Sequence, residues 1–212
     1  MERQKINYQK QTDIIINNLA NSRPSLLLHA CCAPCSSYVI EYLSKYFSIT
    51  IFYYNPNIYP SQEYERRLEE LKKFLKTFPP AQEVHLIQSS YDPEDFYKAT
   101  NVREEKELQA EKEKGERCRR CYLFRMKKAY EYALDNKFDW FTTTLSISPF
   151  KDSEKINTIG QELEVTGKTK FLPSDFKKKS GFLRSLQLSS EYGLYRQDYC
   201  GCIYSKGNIV KS

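Results

Sequence analysis

Seven cysteines occur in 212 residues, and they fall in groups. Cys31-Cys32 has Cys35 three positions on, Cys118-x-x-Cys121 follows far downstream, and Cys200-Gly201-Cys202 comes last. A thiolate is both a metal ligand and a nucleophile. The count is odd and the positions are clustered, which fits metal ligation or redox chemistry better than a disulfide framework. A C-x-x-C at the start of a helix turns two thiolates towards one centre, and the helix N-terminus favours their charged form. Two such elements supply four sulfurs, enough for a tetrahedral zinc or a 4Fe–4S cluster. Zinc ribbons bring their two pairs within about 15–20 residues of each other. Here the pairs are much farther apart, and one is vicinal. Neighbouring side chains on an extended strand diverge, which is awkward for one small ion, whereas a cubane offers separate iron corners. The vicinal pair therefore tilts the reading towards iron–sulfur, although spacing alone does not exclude zinc. Inert buried thiols are the bland alternative, strongest for Cys35.

Cys200 and Cys202 form a different kind of pair. Residues i and i+2 of a strand point the same way, and a disulfide between them closes a tight, strained ring of the labile, oxidising kind. Gly201 relieves the backbone between them. That suits a redox-active pair. Two ordinary buried cysteines, or two further metal ligands, remain the alternatives.

These residues need elements to hold them. Ser25–Ala30 reads as a buried strand, followed by a turn at the first cysteines and a helix from about Ser36 to Lys45. Ser48–Tyr54 is a second strand, rich in β-branched and aromatic residues. Ser61 opens a long helix to about Phe78, with Tyr64, Leu68, Leu71 and Leu75 at helical spacing. Glu83–Gln88 is a third strand, and Asp92-Pro93 starts a helix. Arg103–Glu116 is charged with both signs and reads as a solvated helix or arm. Cys118 to about Leu134 is a helix, Asp139–Thr144 a fourth strand, and Lys151–Val165 a further helix. Strands alternating with helices predict one α/β domain with a parallel, Rossmann-like sheet flanked by helices. Sites in such sheets lie beyond the C-terminal ends of the strands. The loops at Cys31, Asn55 and Thr144–Ser148 fall there together. The expected layout is an N-terminal, helical extension over residues 1–24, a catalytic domain over 25–205, and a tail over 206–212.

Composition narrows the setting. No run of about 18 apolar residues is present, so nothing is expected to span a membrane. Residues 1–21 lack the basic start and long apolar run of a secretion signal. A cytoplasmic location is the expectation, and with it reduced thiols. The net charge is +6, a mild pointer to an anionic partner. The charge is concentrated between 168 and 184, where Lys168, Lys170, Lys177, Lys178, Lys179 and Arg184 face one acid, Asp175. Phosphates are the natural ligands of such a run, a solvated basic face its ordinary explanation.

The motifs also carry a resemblance. LLLHACCAPC (Leu26–Cys35), NPNIYP with EYERR (Asn55–Arg67), GERCRRCYLFRM (Gly115–Met126), FTTTLSISPFKD (Phe141–Asp152), FLPSDFKKKSG (Phe171–Gly181) and YRQDYCGCIYS (Tyr195–Ser205) stand in one order. Together they resemble the cobalamin-independent, iron–sulfur epoxyqueuosine reductases of the QueH type. The match covers roughly Ser25–Ser205. The resemblance implies two-electron reduction of the epoxide of epoxyqueuosine to queuosine at the wobble position (34) of tRNA. It implies a 4Fe–4S cluster on Cys31, Cys32, Cys118 and Cys121, and a redox-active disulfide of Cys200 and Cys202. It also implies room for a second, mononuclear iron, for which Cys35 is the residue to test. tRNA is then the partner, and Lys177, Lys178, Lys179 and Arg184 are its expected contacts. An electron donor that the sequence does not identify is required.

Removing an epoxide oxygen as water needs two electrons, protons and an acid near the leaving oxygen. Tyr199, Asp152, Tyr54 and His29 are the candidates, with Tyr199 and Asp152 placed first. Two other classes compete. An adenylyl-sulfate-type reductase shares a Cys-Cys followed by C-x-x-C, but needs a Gly-rich phosphate loop that this chain, with seven glycines, lacks. A zinc-stabilised RNA-binding module explains Cys118, Cys121 and the basic run, yet leaves Cys200 and Cys202 idle.

Overall fold

Leu26, Leu27 and Leu28 are consecutive, and a strand whose side chains alternate between faces buries such a run only when both faces of its sheet are covered. The computed structural model, which describes residues 6–19, 22–164 and 167–206, has that arrangement. In chain order its elements are α1 (Tyr8–Asn17), β1 (Ser25–His29), α2 (Ala33–Leu43), β2 (Ser48–Tyr53), α3 (Ser61–Thr77), β3 (His85–Gln88), α4 (Pro93–Thr100), α5 (Glu107–Ala110), α6 (Glu116–Asp135), β4 (Trp140–Thr143), α7 (Ser153–Leu163), β5 (Lys170–Phe171), α8 (Gly181–Glu191) and α9 (Ile203–Lys206).

The five strands form one sheet in the order β3-β2-β1-β4-β5, every pair parallel. β1 is central, with Leu26 opposite Ile49 and Trp140, and His29 opposite Phe52 and Thr143. Leu26 and Leu28 enter one apolar cluster with residues of α2, α3 and α8, while Leu27 enters the other with residues of α6 and α7. The expected single α/β domain with a parallel, helix-flanked sheet is therefore what the chain forms. The chain runs outward from β1 through β2 to β3, then returns to β4 and β5 on the other side. Strand order reverses between β1 and β4, and the crevice beyond their carboxyl ends is where open parallel sheets take ligands.

Some local readings shift. α2 begins at Ala33, not Ser36, because Pro34 sits in its first turn with Cys32 as N-cap. Ser61 is the first helical residue of α3 rather than its cap, a place held by Pro60 without a side-chain bond. Asp92 caps α4 as expected, accepting from the Glu94 amide at 2.9 Å. The segment after α4 is not a free arm, since Val102 and Leu108 are buried and Arg120 pairs with Glu105. β5 and α8 have no counterpart in the sequence reading. A two-residue strand carries no periodicity, and the basic run before α8 masks its apolar spacing. Within the expected N-terminal extension, α1 is docked on the domain. Ile16 joins the main core, Ile14 faces solvent, and the Thr12 hydroxyl donates to the Pro173 carbonyl at 2.6 Å. Residue 165, in the expected last turn of α7, and most of the 206–212 tail lie outside the described residues.

Candidate metal and redox centre

The first cysteine group is built by the β1–α2 turn. Cys31 lies just before the cap, Cys32 is the extended N-cap residue, and Cys35 stands three positions later in the first helical turn. Cap and third helical residue are the positions whose side chains meet in a capping box, so the local fold itself folds Cys35 back onto Cys32. The three sulfurs all lie within 4.8 Å of one another, with 3.9 Å between Cys31 and Cys32. Cys31 and Cys32 are buried and Cys35 half-buried. Three thiols this close share negative charge unequally. Hydrogen bonds from Cys32 and Cys35 hold Cys31 well below the usual thiol range, while the hydrogen bond to Cys31, with burial and the Cys31 charge adding to it, pushes Cys32 up to about 12 and Cys35 well above an ordinary thiol.

The second group comes from α6 and the C-terminal loop. Glu111 accepts from the amides of Glu116 and Arg117 at 2.6 and 2.7 Å, which satisfies the first turn of α6 and sets Cys118 and Cys121 one turn apart. Cys121 and Cys202 share an apolar cluster with Phe96, Val102 and Leu108. Burial pushes Cys121 up to about 12, with Cys200, Cys202 and Cys118 adding to it, and burial with Cys200 pushes Cys202 up to about 11. Burial and then Cys200 also raise Cys118. Cys121 and Cys202 are thus packed together, with Cys118 and Cys200 within electrostatic reach of them.

The C-terminal loop is clamped onto the β2–α3 loop. The Tyr59 amide donates to the Gly201 carbonyl at 2.8 Å, and the Tyr199 hydroxyl donates to the Tyr59 carbonyl. Arg67, 1 % exposed, pairs with Glu63 at 2.7 Å and donates to the carbonyls of Cys200 and Tyr199 at 3.2 and 3.4 Å. Gly201 sits at φ +124°, and a Cβ there would meet Arg67 Nη1 and Ile58 Cγ1 at 3.1 Å; only glycine suits that backbone. Gln197, from the same loop, donates to Cys32 Sγ at 3.0 Å, so the last segment of the site touches the first.

Two buried cations complete the centre. Arg125 is 1 % exposed, bonds Asn55 Oδ1 through Nη2, and brings Nη1 to 4.0 Å from Cys121 Sγ. Asn55 in turn donates to the Ala30 carbonyl at 2.8 Å, tying Arg125 to the end of β1. Lys151 is 9 % exposed, in the loop before α7. Burial works against its charge, but Cys200, Cys31 and Cys35 more than offset this and hold its pKa above the ordinary lysine value. The sequence reading gave no role to Arg67, Arg125, Lys151 or Gln197. By residue type they pass for surface groups, and only their seats inside the recurring motifs set them apart.

The acid candidates turn out differently placed. His29 is fully buried, with Nδ1 2.8 Å from the Thr143 hydroxyl and Nε2 3.2 Å from the Tyr54 carbonyl. Burial, then Arg125, lower its pKa to about 3, so it is neutral. Tyr54 donates to Asp95 at 3.0 Å, and burial raises its pKa. Burial pushes Tyr199 up to about 12, and its hydroxyl proton is engaged by the Tyr59 carbonyl. Asp152 is the N-cap of α7, accepting from the amides of Glu154 and Lys155 at 3.0 and 3.2 Å. In the basic run, Lys177 pairs with Asp175, Lys179 with Asp13, and Arg184 with Glu41 and Glu191. Lys178 is exposed with no ion pair among the described residues.

The donor set fits metal. A single tetrahedral ion with metal–sulfur bonds of about 2.3 Å needs its sulfurs close together, as Cys31, Cys32 and Cys35 are. Arg125 Nε, Asn57 Oδ1, Thr144 Oγ1 and Gln197 Oε1 are buried without a hydrogen-bond partner, as are Gln9 Oε1 and Arg117 Nε and Nη2, and a packed interior rarely leaves such groups unmet. No helix among the described residues is long and apolar enough to cross a membrane.

The family model described as epoxyqueuosine reductase QueH matches residues 26–208. Proteins named epoxyqueuosine reductase QueH from Streptococcus pyogenes serotype M1 and Staphylococcus epidermidis are 40% and 38% identical to the chain. These alignments span 95% and 97% of the chain, and 79% and 87% of the relatives. The Thermotoga maritima protein of that name is 34% identical over 85% of the chain and 90% of its own length. With its cysteine groups gathered at the sheet's switch point and this likeness running almost from end to end, the chain belongs to the epoxyqueuosine reductase QueH family.

Proposed function

We propose that this chain reduces the epoxide of epoxyqueuosine in tRNA to queuosine, acting in the cytoplasm. The observation that carries the reading is the compact triad of Cys31, Cys32 and Cys35 at the end of β1, reached by Gln197 of the C-terminal loop and linked through Asn55 and the buried Arg125 to Cys121. The overall change breaks both carbon–oxygen bonds of the epoxide, forms a carbon–carbon double bond, consumes two electrons and two protons, and releases water.

Cys31, Cys32, Cys118 and Cys121 would hold a 4Fe–4S cluster, with Cys35 available to a second iron. Such iron supplies one-electron relay and, at an open position, Lewis acidity. Cys200 and Cys202 act as the redox pair, delivering two electrons and ending as a disulfide that an external donor reduces. Arg67 and Gly201 hold the loop on which they cycle. Arg125, bonded to Asn55, offsets thiolate charge in a site where unpaired charge is costly. Lys177, Lys178, Lys179 and Arg184 contact tRNA phosphates.

A second assignment has its own support. Cys121 packs in one apolar cluster with Cys202, whereas Cys31, Cys32 and Cys35 form a compact triad of their own. In that assignment the C-terminal pair holds metal together with α6. Epoxyqueuosine-containing tRNA incubated anaerobically with the protein and a reductant, followed by nucleoside mass analysis, tests the function: loss of one oxygen atom is expected, and unchanged nucleoside refutes it. Serine variants decide the ligands. Cys121→Ser is expected to lose iron and visible absorbance. Cys200→Ser and Cys202→Ser keep iron but lose turnover with thiol donors under the first assignment, and lose iron under the second.

A further inference from the structure

The chain has 17 tyrosines, 12 phenylalanines and one tryptophan, and nearly all of these rings are buried or half-buried. Among the described residues, two aromatic side chains stand exposed, Phe150 at 67 % and Tyr59 at 44 %. Neither ring is stacked on another or paired with a cation among the described residues. The tyrosines of the C-terminal loop are placed otherwise: Tyr195 has the Arg66 guanidinium 3.4 Å from its centroid, and Tyr199 has that of Arg67 at 5.2 Å. A single bare ring on a surface needs no explanation; the position of these two does.

β2 and β4 are the strands that pair with β1 on its two sides. Tyr59 lies in the loop that follows β2, and Phe150 in the loop that follows β4. Because the strands are parallel, both loops leave the same edge of the sheet as the β1–α2 turn with Cys31, Cys32 and Cys35. Neighbouring strands are about 4.8 Å apart, so the roots of the two loops are about 10 Å apart, with the cysteine turn between them. Both backbones are held. The Tyr59 amide donates to the Gly201 carbonyl at 2.8 Å, and the Tyr59 carbonyl accepts from the Tyr199 hydroxyl. The Phe150 amide donates to Ser148 Oγ at 3.3 Å, and the next amide, that of Lys151, to the Ser148 carbonyl at 3.2 Å. Rings presented to water on fixed backbone lose little freedom when something covers them. Unpaired bases are the part of an RNA that stacks on exposed aromatic rings, and an anticodon loop offers them on both sides of the wobble position.

We propose that Tyr59 and Phe150 form a two-sided stacking platform for the anticodon loop: the nucleotides on either side of epoxyqueuosine lay their bases on the two rings, and the modified nucleoside between them faces the cysteine triad. The platform rests on the substrate reading above. Its role differs from that of the basic run. Lysines meet phosphates, which every stretch of RNA carries, whereas the rings meet base faces, which a paired stem keeps stacked and hidden. The platform therefore selects loop over stem without reading sequence.

The test uses synthetic anticodon stem-loops with an unmodified wobble nucleotide, either intact or abasic at the nucleotide before or after it, titrated by fluorescence anisotropy. The anaerobically purified proteins are wild type, Tyr59→Phe, Tyr59→Leu and Phe150→Leu; leucine keeps apolar bulk and removes the aromatic face. Tyr59→Phe is expected to bind like wild type. Each leucine variant should weaken binding of the intact loop by about 5-fold or more, with iron content and Tm unchanged and the same slope of log affinity against log salt, since no phosphate contact is lost. In a mutant cycle, each leucine effect should shrink to under about twofold on the RNA that lacks the base held by that ring, one neighbour for Tyr59 and the other for Phe150. Leucine variants that bind the intact loop within about twofold of wild type overturn the proposal. So do losses that persist in full on both abasic RNAs, or a salt slope that changes by about 1, which assigns the effect to a phosphate. Conversion of epoxyqueuosine-containing tRNA by the wild type with dithionite separates the two failures. With conversion intact, unchanged binding by the leucine variants removes the platform alone; without conversion, the substrate reading falls and takes the platform with it.

Discussion

Arg67→Met separates the clamp on the C-terminal loop from the chemistry of the cysteines. Methionine keeps the bulk of the stem and removes the charge and every donor. Glu63, with 10% of its side chain exposed, then keeps the Tyr195 hydroxyl at 3.1 Å but loses its cation. Removing one partner of a buried ion pair costs about 3–5 kcal/mol. The bonds to Cys200 and Tyr199 are long, at 3.2 and 3.4 Å, and their carbonyls regain water if the loop lifts, so they add little. The expected loss is about 4 kcal/mol. For a chain of this size each kcal/mol moves Tm by about 2–4 °C, giving a fall of about 8–16 °C by calorimetry. Glu63→Gln combined with Arg67→Met removes the stranded carboxylate and should recover at least half of that fall. Hydrogen exchange supplies the local readout: the Tyr59 amide, which donates to Gly201, loses protection before the strands do. A Tm drop under 3 °C, or a double variant no more stable than Arg67→Met, refutes the clamp.

Changing Lys177, Lys178 and Lys179 together to alanine should make log affinity for tRNA fall less steeply with log salt. Because Lys177 and Lys179 already pair with Asp175 and Asp13, the slope should change by about 1 rather than 3; an unchanged slope in fluorescence titrations places the tRNA on another face. Asp13→Asn should loosen α1. Burial raises the Asp13 pKa, but the bonds from Lys179, Tyr42 and Gln9 outweigh it and leave the value below 3.8. Its contribution is therefore present above the unfolded carboxylate value and is lost as pH falls through the lower folded one. For so exposed a pair it is under about 1 kcal/mol, read as faster exchange of α1 amides at neutral pH and a smaller difference from wild type near pH 3. Gly201→Ala places a side chain at φ +124° against Arg67 and Ile58, at a cost of about 1–3 kcal/mol. Turnover with a thiol donor should fall while the first cysteine triad keeps its reactivity towards alkylating agents, and wild-type turnover in the variant contradicts the tight fit described for the loop.

The sheet was legible because β1 is a short apolar run and β2 and β4 are rich in β-branched and aromatic residues, and the alternation with helices left one topology class open. The cysteine motifs were legible for the same reason that they are useful: residue type and spacing survive without any knowledge of packing. What stayed hidden depends on long-range burial. Arg67, Arg125 and Lys151 look like solvated cations in the sequence, and nothing local records that each is enclosed. The basic run had the converse fault. Its charges are real, but Asp13, Glu41 and Glu191, remote in sequence, take up several of them. Asp152 read as an acid near a motif and proved a helix cap, since both uses favour the same residue at the same place.

The contact of Gln197 with Cys32 has a bearing on biosynthesis. The two cysteine loops that meet in the finished protein are separated by roughly 165 residues, and at about 5–20 residues per second of synthesis the first loop waits about 10–30 s on the ribosome before its counterpart is made. Throughout that interval Cys31, Cys32 and Cys35 have no C-terminal loop over them, and thiolates left open are the ones that oxidise or capture stray metal. The order of translation therefore sets a window of vulnerability for the emerging chain.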